Sequence, residues 1–149
     1  MTTTEIIQVF AGLIGSMGFA VLFNIRGIKL LITSLGGLLT WLLFVILDKI
    51  ITGEPVIYFM IALIVSLLAE IMARVVKTHA STFITTSLIP LIPGSSLYYT
   101  MVYAFEESTE AFLQRGAYTL QLAAAIALGI IVSTALMSAF KKRTRAKNT

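Results

Sequence analysis

One apolar run, residues 82–105, constrains the fold more than any other feature of the sequence, because Pro90, Pro93 and Gly94 stand at its centre. As a continuous helix the run would be about 36 Å long, which is enough to cross a bilayer. A proline inside a helix has no N–H group to donate, and its ring clashes with the carbonyl group four residues earlier. The run therefore predicts a membrane helix broken into two half-helices with an extended kink between them.

The predicted break leaves backbone polar groups without their usual helical partners. Pro90 would free the carbonyl group of Thr86, and Pro93 would free that of Ile89. Gly94, Ser95 and Ser96 are predicted to supply the capping groups for a new helix start. Open backbone at membrane depth is tolerated only where protein or water satisfies it, and in transporters it often marks the substrate site. A proline kink that serves packing alone is the alternative.

Composition places the whole chain in a membrane. Apolar residues make up 58% of the sequence and charged residues only 12%, whereas about a quarter of a soluble domain is charged. A single small core cannot hide this much apolar surface. We therefore predict an all-α fold, a polytopic membrane helix bundle in which residues 1–149 form one transmembrane domain. The absence of Cys and the single His exclude thiolate and multi-histidine metal sites within the chain, and we predict neither a metal nor another cofactor.

Five hydrophobic spans are predicted, with boundaries near residues 6–23, 30–47, 56–76, 82–105 and 117–140, and a polar, acidic loop is predicted over residues 106–116. With every span crossing, nine of the eleven Lys and Arg residues lie on the side of the C-terminus. Cytoplasmic loops carry such an excess, so the N-terminus is predicted outside and the C-terminus inside. The asymmetry is lost if the fourth span does not cross. The basic tail, residues 141–149, follows a span and indicates a cytoplasmic anchor rather than a nucleic-acid partner.

The third span carries a polar stripe. Ala62, Ser66, Glu70 and Arg74 recur every four residues, so they share one helix face that should meet protein or water rather than lipid. Glu70 is a candidate proton carrier, because a carboxyl group inside a span often belongs to a proton relay. It is also a candidate static partner of Arg74, four residues later. The position of Arg74 near the membrane surface favours this second interpretation.

The two half-helix ends at the predicted break carry opposite partial charges, which suit a zwitterionic substrate. The start of the second half-helix presents free N–H groups and a positive dipole end, which suit a carboxylate. The end of the first half-helix presents free carbonyl groups, which suit an ammonium group or a cation. A dicarboxylate would need a second positive site, from Arg26 or from a partner chain. The candidate substrate-binding or translocation residues are Thr86, Pro90, Pro93, Gly94, Ser95, Ser96, Tyr98 and Asn24. The last of these also fits a helix cap.

Three segments of the sequence resemble one family. Residues 18–24, Gly-Phe-Ala-Val-Leu-Phe-Asn, look like the GFAxxFN signature of the threonine/serine exporters. Residues 89–94, Ile-Pro-Leu-Ile-Pro-Gly, followed by Tyr98 and Met101, are similar to the IPLxPG segment of that family. Residues 69–74 are similar to a third, looser segment. The resemblance covers nearly the whole chain, and it is to the smaller, C-terminal-type unit of the family, ThrE_2.

The resemblance implies a secondary exporter of small amino acids of the threonine/serine type, driven by the proton gradient, and not an enzyme. It also implies a hetero-oligomer in the bacterial cytoplasmic membrane, because full-length members carry a larger ThrE_1-like unit in front of this one. Three alternatives stay open. They are export of small dicarboxylates such as succinate, an assembly subunit whose larger partner carries the transport, and a homo-oligomer that needs no other partner.

Overall fold

The described part of the chain is all-helical, as predicted. A computed structural model describes residues 2–106 and 109–147, with the side chains of residues 141–147 outside that description. Helix makes up 86% of the structure, and the described residues contain no strand. The helices are α1 (Thr3–Leu22), α2 (Ile28–Leu47), α3 (Glu54–Val75), α4 (Ala80–Leu88), α5 (Gly94–Phe105) and α6 (Thr109–Lys147), with a 3-10 turn at Ile89–Leu91 between α4 and α5.

The helix ends follow from local sequence chemistry. Helix α1 begins with a capping box, in which the Glu5 N–H donates to the Thr2 hydroxyl at 3.4 Å and the Thr2 N–H donates to the Glu5 carboxylate at 2.9 Å. Asn24 follows the end of α1 with φ 57°, a left-handed conformation that Asn tolerates well. Gly27 and Gly53 turn the chain into α2 and α3 with φ 67° and 125°, conformations that favour glycine.

Helix α3 forms the centre of the molecule. In its most apolar stretch 50% of the residues are buried inside the protein, compared with 22% in α1 and α6 and 28% in α2. Helix α3 packs against both α4 and α6. The core residues between these helices include Ile57, Ile61, Val65, Phe83 and Leu122. Helices α1, α2 and α6 therefore keep most of their apolar residues on the outside, as a lipid-facing protein does.

Glycine allows α6 to approach α3 closely. A Cβ atom on Gly129 would lie 2.8 Å from the Phe59 carbonyl oxygen and 2.8 Å from the Ala62 Cβ. Both distances are shorter than real Cβ contacts, so only glycine fits here without moving one helix. Small residues of this kind are what membrane helices use to bring their backbones together.

Within the described residues, four helices are long and apolar enough to cross a membrane, namely α1, α2, α3 and the Thr109–Phe140 part of α6. Helices α4 and α5 have nine and twelve residues, so neither is long enough to cross on its own. The chain is a multi-pass membrane protein with four candidate spanning helices. The fifth crossing, the broken fourth span and the orientation of the termini stay predictions.

The last helix differs from the sequence-based expectation. Residues 106–116 are predicted to form an acidic loop, but α6 begins at Thr109 and carries Glu110 in its first turn. Gly116 does not stop the helix, because one glycine inside a helix costs only about 1 kcal/mol. At the other end, the backbone of the basic tail stays helical to Lys147, and residues 107, 108, 148 and 149 lie outside the described residues.

Candidate functional site

The chain leaves the helical conformation between Leu91 and Gly94. After the 3-10 turn, Ile92 is extended, with φ −60° and ψ 125°, and Pro93 has φ −74° and ψ 62°. Helix α5 then begins at Gly94. We call residues 89–93 the interruption. Proline explains the path, because the residue before a proline avoids the helical region and Pro93 itself cannot donate a helical hydrogen bond.

The carbonyl group of Ile89 is not bare, although the sequence predicts that Pro93 frees it. The Ile92 N–H donates to the Ile89 carbonyl at 3.1 Å, and the Gly94 N–H donates to the Ile92 carbonyl at 2.7 Å. The tight turn therefore replaces the lost helical bond with a shorter-range one. A carbonyl oxygen has two lone pairs, so each of these oxygens keeps one position for a further donor.

A threonine from another helix completes the end of α4. The Thr40 hydroxyl of α2 lies 2.8 Å from the Ser87 carbonyl oxygen and 2.9 Å from the Gly36 carbonyl oxygen, so its single proton is shared between them. A Cβ on Gly36 would meet the Ser87 side chain, with 2.8 Å to the Ser87 Cβ. Helices α2 and α4 are thus locked together beside the interruption. The sequence gives no signal for this contact, because 47 residues separate the two partners.

Helix α5 starts without the hydroxyl cap that the sequence predicts. Pro93 is the capping residue, and no side chain donates or accepts at this position. The Ser96 hydroxyl instead bonds to the Thr119 hydroxyl of α6 at 2.7 Å, and Thr100 lies 3.2 Å from the same Thr119 oxygen. The N–H groups of Ser95 and Ser96 have no acceptor within the described chain. This N-terminus therefore keeps free donors, as predicted, but its serines do not cap it.

The predicted substrate residues fall into three groups. Pro90, Pro93, Gly94, Ser95 and Ser96 lie together at the interruption. Thr86 and Tyr98 lie on the two helices that flank it, α4 and α5. The Thr86 hydroxyl is fully buried and donates to the Thr82 carbonyl of its own helix at 2.6 Å. The Tyr98 ring is 64% exposed.

Asn24 does not join the interruption. Its side-chain oxygen accepts a hydrogen bond from the Arg26 Nε at 2.9 Å, and both residues are exposed beyond the end of α1. Its N–H donates to the Val21 carbonyl at 2.9 Å. The helix-cap interpretation of Asn24 agrees with this geometry, and Arg26 lies in the exposed turn that follows α1.

A cleft of about 240 Å³ opens between α1, α2 and the interruption. It is lined from α1 by Gln8, Ala11, Gly12 and Gly15, from α2 by Trp41, and from the interruption by Ile89 and Pro90. The Trp41 indole Nε1 is buried and has no hydrogen-bond acceptor among the described residues. Ile89 and Pro90 bring the interruption into the wall of this cleft. A second cavity, of about 260 Å³ between α2, α3 and α4, is lined almost entirely by apolar side chains.

Glu70 and Arg74 form the predicted pair on α3. The Arg74 guanidinium lies 3.5 Å from the Glu70 carboxylate; the Glu70 side chain is 9% exposed and that of Arg74 is 52% exposed. One turn earlier, the Ser66 hydroxyl is fully buried without a hydrogen-bond partner among the described residues. At the other end of the same helix, the Tyr118 hydroxyl of α6 donates to the Glu54 carboxylate, a contact that the sequence does not reveal. Whether Glu70 carries a proton stays a prediction.

Comparison with known proteins identifies the family. No curated protein and no solved structure shows a significant match to the chain. A protein-family model, the threonine/serine exporter ThrE (ThrE_2), matches residues 8–136. This range covers the interruption, the cleft, the Glu70–Arg74 pair, all of α2 and α3, and most of α1 and of the spanning part of α6. The chain therefore belongs to the ThrE_2 family, and it is a membrane transporter of the threonine/serine exporter type.

Proposed function

We propose that the chain is one subunit of a two-component, proton-coupled exporter of threonine and serine in the bacterial cytoplasmic membrane. The substrate site of this proposal lies at the interruption. The observation that carries it is the combination of open backbone, free N–H groups and an adjoining cleft at one place in a chain of the exporter family. Open backbone within a membrane protein is tolerated only beside protein or a hydrated cavity.

In this proposal α4, the 3-10 turn and α5 together make one crossing. The segment runs from Ala80 to Phe105, and as a helix it would be about 39 Å long, which exceeds the hydrocarbon thickness of a bilayer. The distribution of Lys and Arg supports the crossing, because nine of the eleven share one side only if this segment crosses.

The exposed backbone groups favour a zwitterionic substrate. The free N–H groups of Ser95 and Ser96 and the positive end of α5 suit a carboxylate. The carbonyl oxygens of Ile89 and Ile92 each keep a lone pair that suits an ammonium group. A dicarboxylate such as succinate is the weaker alternative, because it needs a second positive group and Arg26 lies in the exposed turn beyond the end of α1.

A partner is part of the proposal. Of the twelve residues of α5 only Ser96 is buried, and the exposed ones include Leu97, Tyr98, Tyr99 and Met101. This bare face supports coverage by the larger ThrE_1-like subunit that the family resemblance implies. The second candidate function, an assembly subunit whose partner carries the transport, uses the same face but not the interruption.

One pair of variants tests the site. In complexes with the larger subunit, Ser95→Leu should abolish threonine export from loaded vesicles, because a bulky side chain covers the free N–H groups. The matched control is Ser138→Leu, which places the same bulk at an exposed serine of α6 and should export normally. Full export by Ser95→Leu, in a complex that still forms, would favour the assembly function. An unmodified complex that exports no threonine or serine would refute the exporter proposal itself.

Proton coupling through Glu70 needs its own test. If Glu70 carries the coupling proton, Glu70→Gln should lose export driven by a pH gradient but keep threonine exchange between equal concentrations across the membrane. Arg74→Gln, which removes the partner at 3.5 Å, should keep both activities. If Glu70→Gln keeps gradient-driven export, the pair is static, as its i,i+4 geometry also allows.

A further inference from the structure

Three hydroxyl groups in the first half of α4 line a cavity without bonding to the rest of the chain. Ser81, Thr82 and Thr85, with Phe23 at the end of α1, surround a space of about 280 Å³. We call this space the α1–α4 cavity. Among the described residues, none of the three hydroxyl groups has a hydrogen-bond partner. The cavity therefore presents donors and acceptors that the protein itself does not use.

The free hydroxyl group of Thr85 is an exception among the threonines of the bundle. Most of them donate instead to the carbonyl group four residues earlier in their own helix, namely Thr33, Thr40, Thr86, Thr100 and Thr119. The Ser81 carbonyl stands at the same spacing before Thr85, but the described structure has no bond between them. Inside a membrane protein a free hydroxyl group is tolerated beside water or a polar ligand rather than beside lipid. The α1–α4 cavity should therefore be hydrated.

The α1–α4 cavity lies one helical turn from the cleft at the interruption. Thr85 lines the cavity and Ile89 lines the cleft, and four residues of helix place them about 6 Å apart along one face. On α1 the order is reversed, since Gly15 lines the cleft and Phe23, eight residues later, lines the cavity. Helix α1 contacts both α4 and the 3-10 turn. The two spaces thus follow one another along the contact between α1 and α4.

We infer that the α1–α4 cavity is the entrance site of the exporter, where the hydroxyl groups of Ser81, Thr82 and Thr85 bind the amino acid before it moves to the interruption. This inference rests on the proposed function, in which the substrate leaves the cytoplasm. The cavity lies at the end of the bundle whose links carry Arg26 and Lys77, the cytoplasmic end in the proposed orientation.

The chemistry and the size of the cavity suit a small hydroxylated zwitterion. A hydroxyl group both donates and accepts, so the same three side chains match an ammonium group, a carboxylate or another hydroxyl group. The volume of about 280 Å³ corresponds to about nine water molecules at about 30 Å³ each, which is enough for a small amino acid.

Single cysteines test whether the cavity is hydrated, because the chain contains no cysteine of its own. The reporter is Thr85→Cys and the matched control is Ile71→Cys. Thr85 lies five residues after the start of α4, and Ile71 lies four residues before the end of α3, so the link between these helices sets both at similar depth. Ile71 is 44% exposed but does not line the cavity. Thiol reagents attack the thiolate, which forms in water rather than in lipid.

The complete complex in inside-out membrane vesicles is treated with a charged thiol reagent that does not cross membranes, and the mass of this chain is followed. Thr85→Cys should be modified at least about tenfold faster than Ile71→Cys. Saturating threonine should slow the modification of Thr85→Cys about threefold or more, because bound substrate covers the thiol. Equal rates for the two variants, or a rate that threonine does not change, overturn the inference. If Thr85→Cys does not assemble, Thr82→Cys lines the same cavity and is judged by the same outcomes.

A second pair of variants tests the hydroxyl groups themselves. Thr85→Val keeps the shape of the side chain and removes the hydroxyl group. It should raise the KM for threonine in proteoliposomes about three- to tenfold, the range expected for one neutral hydrogen bond. Thr33→Val should leave this KM unchanged, because the Thr33 hydroxyl is bonded to the Lys29 carbonyl of α2. An unchanged KM in Thr85→Val overturns the inference. The proposed function fails separately, if the unmodified complex exports neither threonine nor serine.

Discussion

The two helices on either side of the interruption are held in very different ways. Five of the nine residues of α4 are buried, and α4 packs among α1, α2 and α3. In α5 only Ser96 is buried among twelve residues, and its main neighbour is α6. One half of the segment is therefore part of the core, whereas the other half is mostly surface. The interruption joins a fixed support to a helix whose remaining face is available to substrate or partner.

Helix α4 also packs more tightly against its neighbour than α5 does, as one glycine beside each helix shows. On the α4 side, a Cβ on Gly36 would meet the Ser87 side chain, with 2.8 Å to its Cβ. On the α5 side, a Cβ on Gly116 would meet the Thr100 methyl group at 3.5 Å, an ordinary van der Waals distance. The same addition of one carbon therefore tests both contacts.

The largest effect is expected for Gly36→Ala. The added Cβ forces α2 and α4 apart, which should destabilise the protein by about 3 kcal/mol, the upper end of the usual cost of overpacking. Gly116→Ala should be neutral or stabilise α6 by about 0.5–1 kcal/mol, because alanine is the better helix former. Thermal unfolding in detergent, followed by circular dichroism, measures both. Equal melting temperatures for the two variants would remove the distinction between α4 and α5.

A smaller loss is expected for Thr40→Val. This change removes the hydroxyl that lies 2.8 Å from the Ser87 carbonyl oxygen. Ser87 is at the end of α4, where carbonyl groups have no N–H donor from their own helix. Leaving a buried acceptor without its donor should cost about 2 kcal/mol. Thr33→Val is the matched control on the same helix, since Thr33 is equally buried but bonds only to the Lys29 carbonyl one turn earlier.

The same denaturation series decides between the two threonines. Thr33→Val should stay within about 0.5 kcal/mol of the unmodified protein, because the Lys29 carbonyl keeps its place in the helix. If Thr33→Val destabilises as much as Thr40→Val, then burial of a threonine rather than support of α4 explains the loss.

The contacts of α4 and α5 show which features of the fold can be predicted from the sequence and which cannot. Apolar runs and the prolines at 90 and 93 predict the helices and the place of the interruption, because these are local effects. The bonds from Thr40 to Ser87 and from Ser96 to Thr119 join residues 47 and 23 positions apart. No local pattern encodes such pairs. The sequence therefore predicts serine caps at the start of α5, whereas the structure turns Ser96 towards α6.

The cleft also brings together residues that are distant in the sequence, so its lining could be predicted only in part. The predicted residues Pro90, Gly94 and Ser95 lie at the interruption, because they are neighbours along the chain. Trp41 and Gly15 reach the cleft only through the packing of α1 and α2 against the 3-10 turn. Asn24 ends the sequence signature of residues 18–24, and its side chain contacts Arg26 beyond the end of α1 rather than the cleft.

The smallest effects are expected at two adjacent serines of α5, and they separate stability from transport. Ser96→Ala removes one bond to Thr119 and should cost about 1 kcal/mol, because the Thr119 hydroxyl still donates to the Arg115 carbonyl at 2.8 Å. Ser95→Ala should change stability by less than about 0.5 kcal/mol, since its side chain is exposed. It should also export threonine normally, because the proposed site uses the Ser95 N–H and an alanine keeps that group.

Export and unfolding measured on the same preparations test this separation. If the α5 N-terminus acts through its backbone, Ser95→Ala exports and Ser95→Leu does not, although both unfold at the same temperature. Loss of export in Ser95→Ala would instead assign the substrate contact to the hydroxyl. Helix α5 would then contact the substrate through its side chains. What distinguishes α5 from α4 would be the side chains it exposes, not its free backbone N–H groups.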